Sequence, residues 1–152
     1  MFVNTRIQTL EDFAAAHFVD TAGPNSPCYS AHGHTFLVNV GIEGEVKDDG
    51  MVVDFRKIKI PIKRLDHKVL LPDPLFSSCK IEVYDNDYYK VSYGDKYYIF
   101  PMCDCIILIG ISVVTSENIA KYLLNIYKET YPFNKFTVRV YEGKESYAEV
   151  DG

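Results

Sequence analysis

Tryptophan is missing from this chain of 152 residues, and histidine occurs only four times. No apolar run approaches the roughly 20 residues that span a bilayer, and the N-terminus lacks the basic, apolar, small-residue order of a signal peptide. These absences lead us to expect a soluble, cytoplasmic protein with no membrane partner. Positive charge is also in deficit: 16 Lys and Arg face 21 Asp and Glu, a formal net charge of -5. A nucleic-acid partner is therefore not expected, because that surface needs a basic face to displace counterions. A local basic cluster can still take an anionic small molecule. Cysteine is sparse, with Cys28, Cys79, Cys103 and Cys105. A chain of this length buries enough core to need no disulfide staples, so we expect thiols. Repeats, low-complexity tracts, linkers and blocks of like charge are absent too. The expectation is a single domain over 1–152, with its chemistry in point clusters.

What the chain does have is aromatic residues, with twelve tyrosines and nine phenylalanines. These fit pleated, half-buried surfaces and point to a sheet-rich fold. Period-two alternation predicts a first strand from Phe2 to Leu10, followed after some residues by a turn-rich loop over Thr21 to Pro27. His34, Phe36, Val38, Val40 and Ile42 then share one face of a second strand. Asp48-Asp49-Gly50 reads as a hairpin turn, and Asp54 caps a helix carrying Phe55, Ile58, Ile62 and Leu65, kinked or split by Pro61. Alternation from Ile81 to Phe100, broken at Tyr93-Gly94-Asp95, predicts an extra hairpin. Thr115 or Ser116 caps a second helix with Ile119, Tyr122, Leu123, Ile126 and Tyr127 on one stripe. Phe136, Val138 and Val140 form a last strand that delivers Glu142. The layout is α+β, with helices on one sheet face.

Three of the four histidines fall in Ala14-Ala15-Ala16-His17 and Cys28-Tyr29-Ser30-Ala31-His32-Gly33-His34. On extended backbone His32 and His34 leave the same face, with Gly33 clearing the other. His17, from the end of the first strand, makes a third nitrogen. Three imidazoles with an open fourth position suit catalytic zinc. Copper, iron and nickel accept imidazole as well, but a proton-transfer site favours a metal without redox chemistry. Taken singly, each histidine also fits an ordinary strand end. Cys28 precedes His32 by four residues, where a dication would ease loss of its proton; alone, it also fits a structural role. In Asp66-His67 a carboxylate can orient a proton-relaying imidazole, and a helix-end surface pair is the other reading. Cys103-x-Cys105 places two thiols on one strand face and is given no role.

In order along the chain stand Phe13 to His17, Cys28-x-x-x-His32-Gly33-His34, Gly50-Met51-Val52-Val53-Asp54-Phe55, Leu65-Asp66-His67, Thr115-Ser116-Glu117-Asn118 and Val140-Tyr141-Glu142. This set resembles the family of 6-pyruvoyl- and 6-carboxy-tetrahydropterin synthases. The resemblance implies a T-fold, an antiparallel sheet with two helices per subunit that oligomerises into a β-barrel, as a hexamer or another multiple of the barrel unit. Active sites would lie between neighbouring subunits. It further implies zinc on His17, His32 and His34, Cys28 as general base, and Asp66 with His67 completing a proton-transfer triad. Glu142 would anchor a pterin, whose N-H donors a carboxylate can accept in pairs. Thr115, Ser116 and Glu117 would line its pocket. The implied substrate is 7,8-dihydroneopterin triphosphate, and no redox cofactor is required.

Three residues between Cys28 and His32 resemble the branch that forms 6-carboxy-tetrahydropterin with loss of triphosphate and acetaldehyde, for 7-deazapurine (queuosine-type) synthesis. The pyruvoyl-forming branch commonly has a longer gap. A related zinc enzyme acting on a dihydroneopterin derivative and a non-catalytic pterin-binding protein are the competing readings. The chain departs from a compact family member in the segment from Pro72 to Ser112, and in Val114, where proline is usual.

Overall fold

The computed structural model describes residues 3–152; Phe2, where the first predicted strand begins, lies outside them. Strands β1 (Asn4–His17) and β2 (His32–Glu45) pair antiparallel over their full length, from Asn4 opposite Glu45 to His17 opposite His32. β1 therefore continues seven residues past Leu10. Its alternation fades in the sequence because Ala14, Ala15 and Ala16 offer no contrast between faces, yet the backbone pairing carries on. On the inward face Phe13 and His17 are 1% exposed, and Phe36, Val38, Val40 and Ile42 are fully buried, as the spacing predicts.

Asp48-Asp49-Gly50 does turn, with Gly50 at φ +83. It leads into a helix and not into the second arm of a hairpin. That helix, α1 (Phe55–Lys63), is capped by Asp54, whose carboxylate accepts the Arg56 N-H at 2.9 Å. Ile58 and Ile62 are buried, whereas Phe55 points to solvent. Pro61 does not split α1, which ends two residues later, so only its last turn has to accommodate the missing N-H.

The chain continues through β3 (Lys68–Pro72), then β4 (Lys80–Tyr84), β5 (Tyr88–Tyr93) and β6 (Lys96–Pro101), then β7 (Cys105–Leu108). The expected hairpin is in fact a three-stranded sheet, β4-β5-β6. Tyr93-Gly94-Asp95 is one of its turns; the other, unforeseen, uses Asp85 and Asn86 at positive φ. Helix α2 (Ser116–Thr130) is capped by Thr115, and β8 (Lys135–Glu142) ends on Glu142. A further strand, β9 (Tyr147–Asp151), returns antiparallel to β8, so β8 is not the last.

The main sheet runs β7-β3-β1-β2-β8-β9. It is not purely antiparallel: β3 lies parallel to β1, and β7 parallel to β3. Both are short, mostly apolar runs without period-two patterning, as is common for strands paired in parallel. Ile58 and Ile62 of α1 join Ile119, Ala120, Leu123 and Tyr127 of α2 in one core with the inward residues of β1, β2 and β8. Tyr127 Oη donates to the Ile58 carbonyl at 2.7 Å and ties the helices together. A second, smaller core holds Phe18, Tyr29, Leu71, Cys79, Val91 and Tyr93 between β4-β5-β6 and the loop that carries Cys28. No described helix is long and apolar enough to cross a membrane.

Candidate metal centre and adjoining pocket

Register brings the histidines together. His17 and His32 are direct cross-strand partners at the end of the β1-β2 pair that the connecting loop closes, and His34 follows on the same face of β2. Their ring centroids lie 4.5, 5.2 and 4.8 Å apart for the pairs 17/32, 17/34 and 32/34. Phe36 backs the cluster edge-on, 5.6 Å from His17 and 5.4 Å from His34. Glu142 arrives from β8, where it pairs with Phe36. One ligand atom from each of His17, His32, His34 and Glu142 lies within 4.8 Å of the others.

Hydrogen bonds settle which nitrogens are free. His17 Nδ1 lies 2.9 Å from the Val114 carbonyl, and His32 Nδ1 lies 2.7 Å from the Ser30 carbonyl. A carbonyl only accepts, so in both rings Nδ1 carries the hydrogen and Nε2 keeps its lone pair, the arrangement that orients a metal-binding imidazole. Burial holds the His17 pKa below its ordinary value, which keeps the ring neutral. His17 Nε2 is buried without a hydrogen-bond partner among the described residues. His34 Nε2 is also unpartnered, although Glu142 Oε1 approaches it to 2.8 Å. That approach is close but lacks hydrogen-bond direction, so the nitrogen and the carboxylate oxygen are not committed to each other. Buried, unpartnered imidazole nitrogens beside a carboxylate fit a metal ion.

Glu142 also faces the other way. Its Oε2 accepts from Ser116 Oγ at 3.0 Å, and Ser116 is almost fully buried at the first turn of α2. Ser116, Glu117 and Glu142 line a hollow of about 290 Å³ with Ser146, Tyr147 and Ala148 of the β8–β9 connection and β9. Thr115 Oγ1 is occupied in capping, accepting the Asn118 N-H at 3.3 Å.

Among the described residues, the remaining predicted residues make no hydrogen bond to this cluster, although His67 lines one hollow with His34. Cys28 is exposed, in a short 3-10 turn over Pro27–Tyr29; its N-H reaches Ser26 Oγ at 3.2 Å and its carbonyl accepts from Val19. Asp66 and His67 follow α1. Asp66 accepts the Ala14 N-H at 2.8 Å and holds His67 Nδ1 at 3.0 Å. The Ala14 N-H, then His67, lower the Asp66 pKa. His67 adopts φ +59, and its side chain is 84% exposed. The structure thus pairs Asp66 with His67 but does not join either to Cys28 within the chain.

Residues 6–152 match the family described as 6-pyruvoyl tetrahydropterin synthase. The chain belongs to that family. A Pyrococcus abyssi relative, provisionally named a 6-carboxy-5,6,7,8-tetrahydropterin synthase, is 33% identical over 97% of this chain and 90% of its own length. The 6-carboxy-5,6,7,8-tetrahydropterin synthase of Haemophilus influenzae is 23% identical over 90% of this chain and 92% of its own. Among solved structures, the 6-pyruvoyltetrahydropterin synthase of Plasmodium vivax superposes with a TM-score of 0.79 at 28% identity, covering 99% of this chain and 98% of that one. Its Plasmodium falciparum counterpart gives 0.78 at 28% identity, covering 98% of each chain. As a tetrahydropterin synthase-type protein the chain is a lyase-type enzyme, and the curled sheet with two helices is the T-fold.

Sequence reasoning did not anticipate that Glu142 would reach the histidines, or that the carbonyls of Val114 and Ser30 would orient two of the rings. The strand-end position of Glu142 was the only available signal. A carbonyl leaves no signature in side-chain identity, so Val114 and Ser30 were invisible.

Proposed function

We propose that the chain converts 7,8-dihydroneopterin triphosphate to 6-carboxy-5,6,7,8-tetrahydropterin, releasing triphosphate and acetaldehyde, as a single zinc-dependent domain of a cytoplasmic homo-oligomer. The observation that carries this reading is the convergence of His17, His32, His34 and Glu142 next to a hollow large enough for part of a pterin. His17, His32 and His34 would hold zinc through nitrogen, and zinc there would polarise the adjacent hydroxyls of the substrate side chain.

The remaining chemistry belongs to the chain. Glu142 accepts the amino and ring N-H donors of the pterin, with Ser116 fixing the carboxylate and Thr115 and Glu117 shaping the entrance. Cys28, as thiolate, removes a proton from the side-chain carbon and returns it elsewhere. Asp66 fixes Nδ1 of His67, leaving Nε2 to exchange that proton. His67 is exposed and open to a neighbouring copy, and the triad is completed at that boundary. The atoms balance. Oxidation of the first side-chain carbon is matched by reduction of the ring, triphosphate leaves from the third, and one water enters as the carbon-carbon bond breaks to give carboxylate and acetaldehyde.

The three-residue gap between Cys28 and His32, together with the names of the curated relatives, supports this branch. The Plasmodium neighbours bear the pyruvoyl name, which makes retention of the full side chain the second reading. Zinc-loaded protein incubated with the triphosphate, followed for triphosphate, acetaldehyde and pterin mass, separates the two. Release of both products that is lost in Cys28→Ala, with zinc binding kept, supports the carboxy-forming reaction. A pyruvoyl product without acetaldehyde moves the enzyme to the other branch, and absence of Cys28-dependent turnover refutes both.

A further inference from the structure

Three residues separate Cys28 from His32, and a different side chain of the β5-β6 hairpin holds each of them. Tyr93 Oη donates to the Tyr29 carbonyl. Lys96 Nζ donates to Ser30 Oγ at 3.0 Å. Tyr98 Oη accepts the Ala31 N-H at 3.0 Å. The contact continues in the rings. Lys96 Nζ sits 4.5 Å from the centre of the Tyr29 ring, and Tyr29 meets Tyr93 edge-on at 5.0 Å. Phe18, the residue after His17, stacks on Tyr93 at 4.5 Å, so the hairpin also grips the end of β1. At the tip, Gly94 stands at φ +58 where any Cβ would strike the Tyr29 hydroxyl.

These contacts lead to the histidine site in one further step. The Ser30 carbonyl accepts His32 Nδ1, so the residue held by Lys96 also orients the His32 ring. Outside the hairpin, the loop is tied at Cys28, whose carbonyl accepts the Val19 N-H at 2.8 Å, and at Tyr29, whose N-H reaches the Ser26 carbonyl at 3.1 Å. Within the loop, the Cys28 N-H reaches Ser26 Oγ at 3.2 Å and the Ser30 N-H reaches the Pro27 carbonyl at 3.3 Å, both long.

We infer that Lys96 and Tyr98 are positioning residues: the β5-β6 hairpin sets the distance and orientation between the Cys28 thiol and the His32 imidazole. The inference rests on Cys28 and His32 having the roles given above. Misplacement of a reacting group by about 1 Å can cost about a hundredfold in rate, and the supporting shell of a site governs such placement. A segment between the two halves of the family pattern, with no site residue of its own, thus builds the link from base to histidine cluster.

The test uses the zinc-loaded full chain with Tyr98→Phe, Lys96→Met and Lys96→Arg. It reads kcat and KM for 7,8-dihydroneopterin triphosphate, and the rate at which iodoacetamide alkylates Cys28, located by peptide mass. Tyr98→Phe keeps the ring and removes the acceptor; Lys96→Met keeps the length and removes the donor; Lys96→Arg keeps a donor. Expected is a fall in kcat of about tenfold for the first two with KM within about twofold, the size one ordinary hydrogen bond sets. Cys28 alkylation should change severalfold while that of exposed Cys103 stays constant, and Lys96→Arg should restore both readouts. Parental kcat and parental Cys28 alkylation in Tyr98→Phe and Lys96→Met overturn the inference, as does a rise in KM alone. Should Tyr98→Phe fail to fold, the half-exposed Lys96 pair decides. If the parent itself shows no turnover, the functional reading fails, and alkylation alone decides the role of the hairpin: a change upholds it and parental rates refute it.

Discussion

Replacing Phe36 with leucine tests whether the histidine cluster rests on the core beneath it. Phe36 is fully buried, stacked on Phe13 at 4.9 Å and edge-on to His17 and His34. Leucine keeps the site apolar but removes the ring and three carbon atoms. Loss of the aromatic contacts costs about 0.5–1.5 kcal/mol beyond area, and the small void adds a few tenths to about 1 kcal/mol, about 2 kcal/mol together. For a chain of this length that lowers Tm by about 4–8 °C. The two imidazoles also lose their backing wall, which should weaken zinc about tenfold, the low end for a change behind the ligands. Tyrosine must serve as the fluorophore in the absence of tryptophan, so unfolding of the metal-free protein is better followed by circular dichroism, at one fixed protein concentration. Zinc affinity is read by competition with a chromophoric chelator. A lower Tm with parental zinc affinity would refute the dependence of the cluster on the core, and parental values of both would refute the packing argument as a whole.

Tyr127→Phe removes the hydroxyl that links α2 to the Ile58 carbonyl; it should cost about 1 kcal/mol in denaturant unfolding and leave zinc affinity unchanged. Burial raises the Cys79 thiol to about 12 and the Cys105 thiol to about 11. Both therefore stay protonated at pH 8, and iodoacetamide should label exposed Cys28 and Cys103 first, with Cys79 following only as pH rises towards its pKa or the protein unfolds. Comparable labelling of native Cys79 and Cys103 at pH 8 would contradict that burial. Glu142→Gln leaves one acceptor oxygen where the carboxylate offers two, and should weaken pterin binding about tenfold in direct titration. Unchanged pterin affinity would remove Glu142 from the pocket.

Strand β2, the stripe of α2, the caps at Asp54 and Thr115 and the turn at Gly94 were all legible from residue order, because each depends on local backbone preference or a short period. The three histidines were legible as a group for a similar reason: His32 and His34 share a face through strand geometry alone. The last seven residues of β1 were not, since an alanine run hides the alternation that pairing restores. β3 and β7 escaped because short strands paired in parallel carry no period-two signature, and β9 because its charged and apolar residues have no meaning until β8 lies beside them.

The sequence by itself determined the family and the placing of His32 and His34 on one strand face, because side-chain type and spacing along one strand are properties of the chain. Only the tertiary structure decided that Glu142 closes the histidine cluster, that Val114 and Ser30 leave Nε2 of His17 and His32 free, and that a hairpin more than sixty residues downstream holds the loop between Cys28 and His32. Those facts depend on register between strands and on backbone carbonyls, which every residue carries alike and which acquire direction only when the sheet is assembled.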